Sequence, residues 1–193
     1  MVIFKKYAKM LKEDKRTLAF IAITTFIAFF CVGTTTAYLT SVSGLVENTF
    51  TYGDIQLELT ETTGASYQLI PGHTIKKDPR VRVVGGSEDC WLFVQITESS
   101  GFDDYLSYEI ADGWTHLGGY EGVYYRSIVD ARTDLNFSIL KDDSITVKDN
   151  LTEEKMSAIT SPPTVSFKAY AIQSHAVDTA AEAWLFILAE GEG

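Results

Sequence analysis

The sequence predicts an all-β chain, an antiparallel β-sandwich with one or two short helices. Apolar residues recur with a period of two in about eight or nine short runs. Turn residues separate these runs at intervals of roughly ten positions, the spacing of sandwiches and barrels. Segments with helical spacing are few.

Ile55, Leu57 and Leu59 alternate with Gln56, Glu58 and Thr60 after a Gly53-Asp54 turn, the pattern of a half-buried strand. The apolar pair Leu69-Ile70 meets a Pro71-Gly72 turn, and a strand follows with Val81 and Val83 on one side. Gly85-Gly86 breaks the chain. The next run, Cys90 to Thr97, is almost continuously apolar, as expected of a central strand buried on both faces. Leu106, Tyr108 and Ile110 alternate again, and Trp114 to Val129 forms a hairpin around Gly118-Gly119. Leu135–Leu140 and Ser144–Val147 are strands flanking an Asp142-Asp143 turn.

A short helix is expected over Asn150–Ile159, capped by Asn150 or Thr152, with Glu153 and Glu154 in its first turn and Pro162-Pro163 beyond its end. Thr164–Ser174 is a strand with Val165, Phe167, Ala169 and Ala171 on one face. In the last segment Ala181, Trp184, Leu185 and Leu188 have helical spacing, with Asp178 to cap. The continuous apolar run Trp184–Leu188 instead favours a closing strand after a short helical turn.

The N-terminus has a separate character. Lys5, Lys6, Lys9, Lys12, Lys15 and Arg16 form a basic flank, followed by an apolar run of fifteen residues, Leu18–Val32. A spanning helix takes roughly 20 apolar residues and a signal-peptide core about 7–15. The run therefore fits a signal peptide over residues 1–37, cut between Ala37 and Tyr38, with Thr35 and Ala37 in the peptidase spacing. A retained anchor is the alternative. Cys31 follows Phe29 and Phe30 rather than small residues, which disfavours a lipoprotein.

The first 37 residues hold 6 of the 16 Lys+Arg and 2 of the 26 Asp+Glu, leaving 10 basic against 24 acidic residues, net −14. Such a chain is a poor ligand for nucleic acid or an anionic membrane, because both require clustered Lys and Arg. Only Cys90 remains beyond residue 37, so no disulfide staples the domain; its apolar neighbours mark it as a buried structural thiol.

No catalytic residue, metal ligand or cofactor is nominated. His73, His116 and His175 lie far apart, and no H-E-x-x-H, G-x-S-x-G, P-loop or G-x-G-x-x-G is present. The pairs Asp103-Asp104, Asp142-Asp143 and Glu153-Glu154 lack an EF-hand pattern and suit turns and a helix start. Tyr105 and Tyr108, and Tyr120, Tyr124 and Tyr125, form clusters that favour cross-strand packing over a sugar- or partner-binding face.

Gly33-Thr34, Ala37-Tyr38, Asn48-Thr49-Phe50 and Gly53-Asp54-Ile55-Gln56-Leu57 resemble, in order and spacing, the N-terminus of the TasA and camelysin family. Pro71, Gly72, Lys76 and Lys77 resemble that family's "PG-x-x-x-x-K" turn, and the segment Val165–Ser174 its closing strand. The resemblance covers the first third of the chain beyond residue 37 and its end; Gly101 to Pro163 share only a strand-rich character. It implies cleavage by a SipW-type signal peptidase, a jelly-roll-like fold, and homopolymeric fibres in the extracellular matrix or on the cell surface of a Gram-positive bacterium, with room for an accessory matrix protein. Camelysins are also described as metalloproteases, but this sequence supplies no zinc motif for that activity.

Residues 38–50 are the candidate donor strand, with residues 51–193 as the sandwich. Tyr38, Val42, Val46 and Phe50 fall on one side of an extended chain, together with Thr40, Gly44 and Asn48. An extended segment added to an open sheet edge gains main-chain hydrogen bonds and side-chain pockets. The rival readings are a monomeric binding module held at the cell surface by Leu18–Val32, a first strand serving only its own domain, and a camelysin-like protease.

Overall fold

The computed structural model describes residues 41–52, 54–64 and 66–190. Among them, twelve strands form three sheets: β1 (Ser41–Tyr52), β2 (Leu57–Thr60), β3 (Ser66–Gln68), β4 (Thr74–Lys76), β5 (Arg80–Val83), β6 (Cys90–Glu98), β7 (Leu106–Ser107), β8 (Thr115–His116), β9 (Val123–Ile128), β10 (Leu135–Ser138), β11 (Ser144–Val147) and β12 (Thr164–Gln173). The helices are α1 (Phe102–Tyr105), α2 (Glu153–Ser157) and α3 (Ala180–Glu190). The largest sheet has the order β3-β1-β12-β6-β9-β8, and the smaller ones β10-β5-β2 and β4-β11-β7. The chain is all-β with few helices.

One apolar core joins the three sheets. Leu92, Val94 and Ile96 of β6 and Val165, Phe167, Ala169 and Ala171 of β12 meet Leu57, Val81 and Val83 from the second sheet and Ile75, Ile145 and Val147 from the third. These are the alternate positions of each strand, which is why a period of two was visible in the sequence. A second, smaller core forms on the other face of the six-stranded sheet, where Phe93 and Ile172 pack with Ala180, Ala183, Trp184 and Ile187 of α3. β6 is paired on both edges and buried on both faces, which explains its unbroken apolar run.

The short helix over Asn150–Ile159 forms as α2, with Thr152 as the cap: its hydroxyl accepts from the Lys155 amide at 3.3 Å. The hairpin from Trp114 forms as β8 and β9.

Three expectations are corrected. The sheets are not wholly antiparallel, since β1 runs parallel to β12. The alternation Leu106, Tyr108, Ile110 yields only the two-residue β7, after the single turn α1; Ile110 makes an isolated bridge to Leu140. The closing strand at Trp184–Leu188 is instead the helix α3. Thr179 and Glu182 build a capping box at its start, with the Glu182 amide donating to Thr179 Oγ1 at 3.2 Å and that hydroxyl donating to Glu182 Oε2 at 3.1 Å. The helix hides Ala183 and Trp184 and leaves Leu185 and Phe186 each 55% exposed.

Candidate functional site

Ala37, Tyr38 and the whole segment 1–37 lie outside the described residues. Val42, Val46 and Phe50 belong to β1, the strand that decides how the candidate donor segment is held. β1 pairs with β12 from Ser43↔Thr164 to Tyr52↔Ile172, and with β3 only over Ser41–Ser43. It thus carries one fully used edge and one used only at its start.

The register with β12 shifts between Val46 and Thr49, one extra residue on β1 against its partner. Val46 stands opposite Phe167, a buried core position, whereas Phe50 stands opposite Tyr170, on the other face of β12.

Beside Tyr67 of β3 and Phe167 of β12, the two strands that flank β1, lies a buried polar network. Lys77 is 1% exposed, and its ammonium donates to both oxygens of Glu61, at 2.6 and 2.7 Å. The Glu61 side chain is itself only 6% exposed. The rings of Tyr67 on β3 and Phe167 on β12 flank the ammonium, with centroids 5.8 and 5.9 Å from Nζ. Thr63 Oγ1 lies 3.1 Å from Glu61 Oε1, and the Tyr67 hydroxyl donates to the Gly64 carbonyl. Burial raises the Tyr67 pKa above the ordinary phenol value.

Beside this pair, Asp78 ties the Thr62-Thr63 loop. Its carboxylate accepts from both amides and both hydroxyls of those threonines, at 2.6–3.1 Å. Partial burial works to raise its pKa, but the four hydrogen bonds outweigh this and hold it at about 2. Of the motif residues, Lys76 is exposed and Lys77 is inside; Gly72 takes a φ of 73°, and its amide donates to Val147 O at 3.1 Å.

A second feature is a cleft of about 540 Å³ lined by Glu98, Asp103, Tyr108, His116, Glu121 and Tyr124, among others. Tyr108 donates to Glu98 and meets Phe102 edge-on, and His116 stacks edge-on against Tyr124. Burial raises the pKa of both tyrosines, so both are neutral phenols at neutral pH. Tyr125 meets Trp91 of the neighbouring strand, the cross-strand role expected of the tyrosines, whereas Tyr120, in the β8–β9 loop, packs against Trp184 of α3.

Cys90 is fully buried, and desolvation pushes its thiol up to about 12, which makes it an inert core residue. Among the described residues no three His, Cys, Asp or Glu side chains converge to hold a metal ion. Among the same residues no helix is long and apolar enough to cross a membrane.

Glu61 was absent from the sequence-based candidates, and Lys77 appeared only as part of a motif. A signal for Lys77 exists: Ile75, Lys77, Pro79, Val81 and Val83 form one buried period-two series. Comparison with protein families, with curated proteins and with solved structures finds no match to this chain.

Proposed function

We propose that this chain is a secreted, non-enzymatic structural protein of the TasA/camelysin kind. In this reading the fold is jelly-roll-like, the signal peptide ends at Ala37, and the released chain assembles into fibres of the extracellular matrix. Its partners are copies of itself, and assembly proceeds by exchange of the N-terminal strand. The observation that carries the reading is the seating of β1. It is the parallel strand of an otherwise antiparallel sheet and sits at the N-terminal end of the described domain. Withdrawing it leaves the order β12-β6-β9-β8 intact and frees only the three-residue β3, whose partner it is. It would also expose one edge of β12, a ten-residue strand rich in buried apolar positions. A second copy of the same segment restores those main-chain bonds, and the bulge supplies a register mark for correct seating.

The test is electron microscopy and sizing of Tyr38–Gly193 beside a chain lacking Tyr38–Thr49. Fibres from the first and none from the second support the reading; a monodisperse monomer from the first contradicts it. The cleft at Tyr108 and Tyr124 favours a second reading, a monomeric binding module at the cell surface, which the same monomer result would support.

A further inference from the structure

We propose that the buried Glu61–Lys77 ion pair is a release element for β1, setting how readily that strand leaves its place in the sheet. The inference deepens the exchange reading and rests on it for its biological meaning.

The geometry places the pair under the strand. Tyr67 and Phe167, whose rings bracket the Lys77 ammonium, are the register partners of Val42 and Val46 of β1. β1 lies between β3 and β12, so the ammonium sits behind the first half of β1. Among the described residues both hydrogen bonds of the ammonium go to Glu61, and its surroundings there include the two aromatic faces. It is the one charged residue in the fully buried set among the described residues.

A buried ion pair is held against the desolvation of both charges, and replacing it by apolar groups of similar volume commonly stabilises the closed state. In this proposal β1, standing between the strands that carry the two rings, supplies part of that desolvation. When β1 withdraws, water reaches the pair and the penalty is relieved, while an apolar pair in the same place would gain nothing from opening. The charges therefore lower the cost of the strand-out state relative to the strand-in state. They act on β1 selectively, because β6, in the centre of the same sheet, opens only with the whole fold.

The test is hydrogen–deuterium exchange of backbone amides in the full chain, comparing Gly44–Tyr52 with Leu92–Ile96 of β6. In the Glu61→Leu/Lys77→Met double variant, β1 amides are expected to exchange at least about tenfold more slowly, with a clearly smaller change in β6. In Glu61→Gln, which leaves the ammonium buried against a neutral partner, β1 amides exchange faster relative to β6. Should the double variant fail to fold, the Glu61→Gln comparison decides alone. Equal changes in β1 and β6, or none in β1, overturn the proposal and reduce the pair to an ordinary core contact. The exchange experiment reads strand release without assembly. If β1 responds as stated yet the chain forms no polymer, the release element stands and the fibre reading falls. If fibres form while β1 amides ignore the pair, the reverse holds.

Discussion

Truncating Trp184 tests whether α3 is an integral layer of the fold. The indole is 1% exposed, with ring centroids 5.2 Å from Phe93, 5.3 Å from Tyr170 and 6.3 Å from Tyr120. Removing such a side chain leaves a cavity and ends three aromatic contacts, so Trp184→Ala is expected to cost about 3–5 kcal/mol. In a domain of this size that lowers the melting temperature by roughly 10 °C. Trp184→Phe has a different balance. The indole N–H is buried and has no hydrogen-bond partner among the described residues, so its removal relieves an unsatisfied donor. The Phe variant is therefore expected to lose only about 1–2 kcal/mol. Urea unfolding followed by far-ultraviolet circular dichroism measures both without relying on tryptophan emission. A loss below about 1 kcal/mol for the Ala variant, or equal losses for the two, would refute the packing argument.

Asp78 gives a pH dependence with a definite sign. Its folded pKa of about 2 lies below the unfolded carboxylate value, so its stabilisation is present above about pH 4 and lost as the pH falls towards 2. Asp78→Asn should flatten that acid limb and cost on the order of 1–2 kcal/mol at neutral pH, checked by urea midpoints at several pH values. Gly122 has a φ of 70°, and a Cβ there would run into the Ile96 carbonyl oxygen, so Gly122→Ala should destabilise by about 2 kcal/mol or more in thermal melts. The Cys90 thiol should ignore a thiol reagent at mildly alkaline pH until the domain unfolds, with labelling tracking the unfolding transition. Labelling of the native protein at the rate of a free cysteine would show that the core opens around β6.

Most strands were legible because one face is buried and the other is not. Val81 and Val83, or the odd-numbered positions of β12, repeat every second residue for that reason. The continuous run of β6 was legible for the opposite reason, since a second core lies behind Phe93. α3 misled because its exposed side carries Leu185, Phe186 and Leu188, so the apolar run resembles a buried strand. The better evidence was present: Ala180, Ala183, Trp184 and Ile187 have helical spacing behind a Thr179–Glu182 capping box. Of the candidate site, the extended character of β1 was visible, but its parallel partner and its bulge were not. Register across more than a hundred residues of chain leaves no local trace. The same holds for the Glu61–Lys77 pair, two residues 16 positions apart that only the fold brings together.

Disulfide trapping tests the central claim that β1 passes between copies. Ser43 and Thr164 are register partners on adjacent strands, roughly 4.8 Å apart as such strands are, within reach of a disulfide. One Tyr38–Gly193 chain carrying Ser43→Cys is mixed with another carrying Thr164→Cys, and the mixture is oxidised; these chains lack Cys31, and Cys90 is buried and stays silent. Exchange of β1 predicts a disulfide joining the two different chains, growing with assembly. The absence of any such product, alongside ready closure of the disulfide when both substitutions share one chain, would show that β1 serves only its own domain.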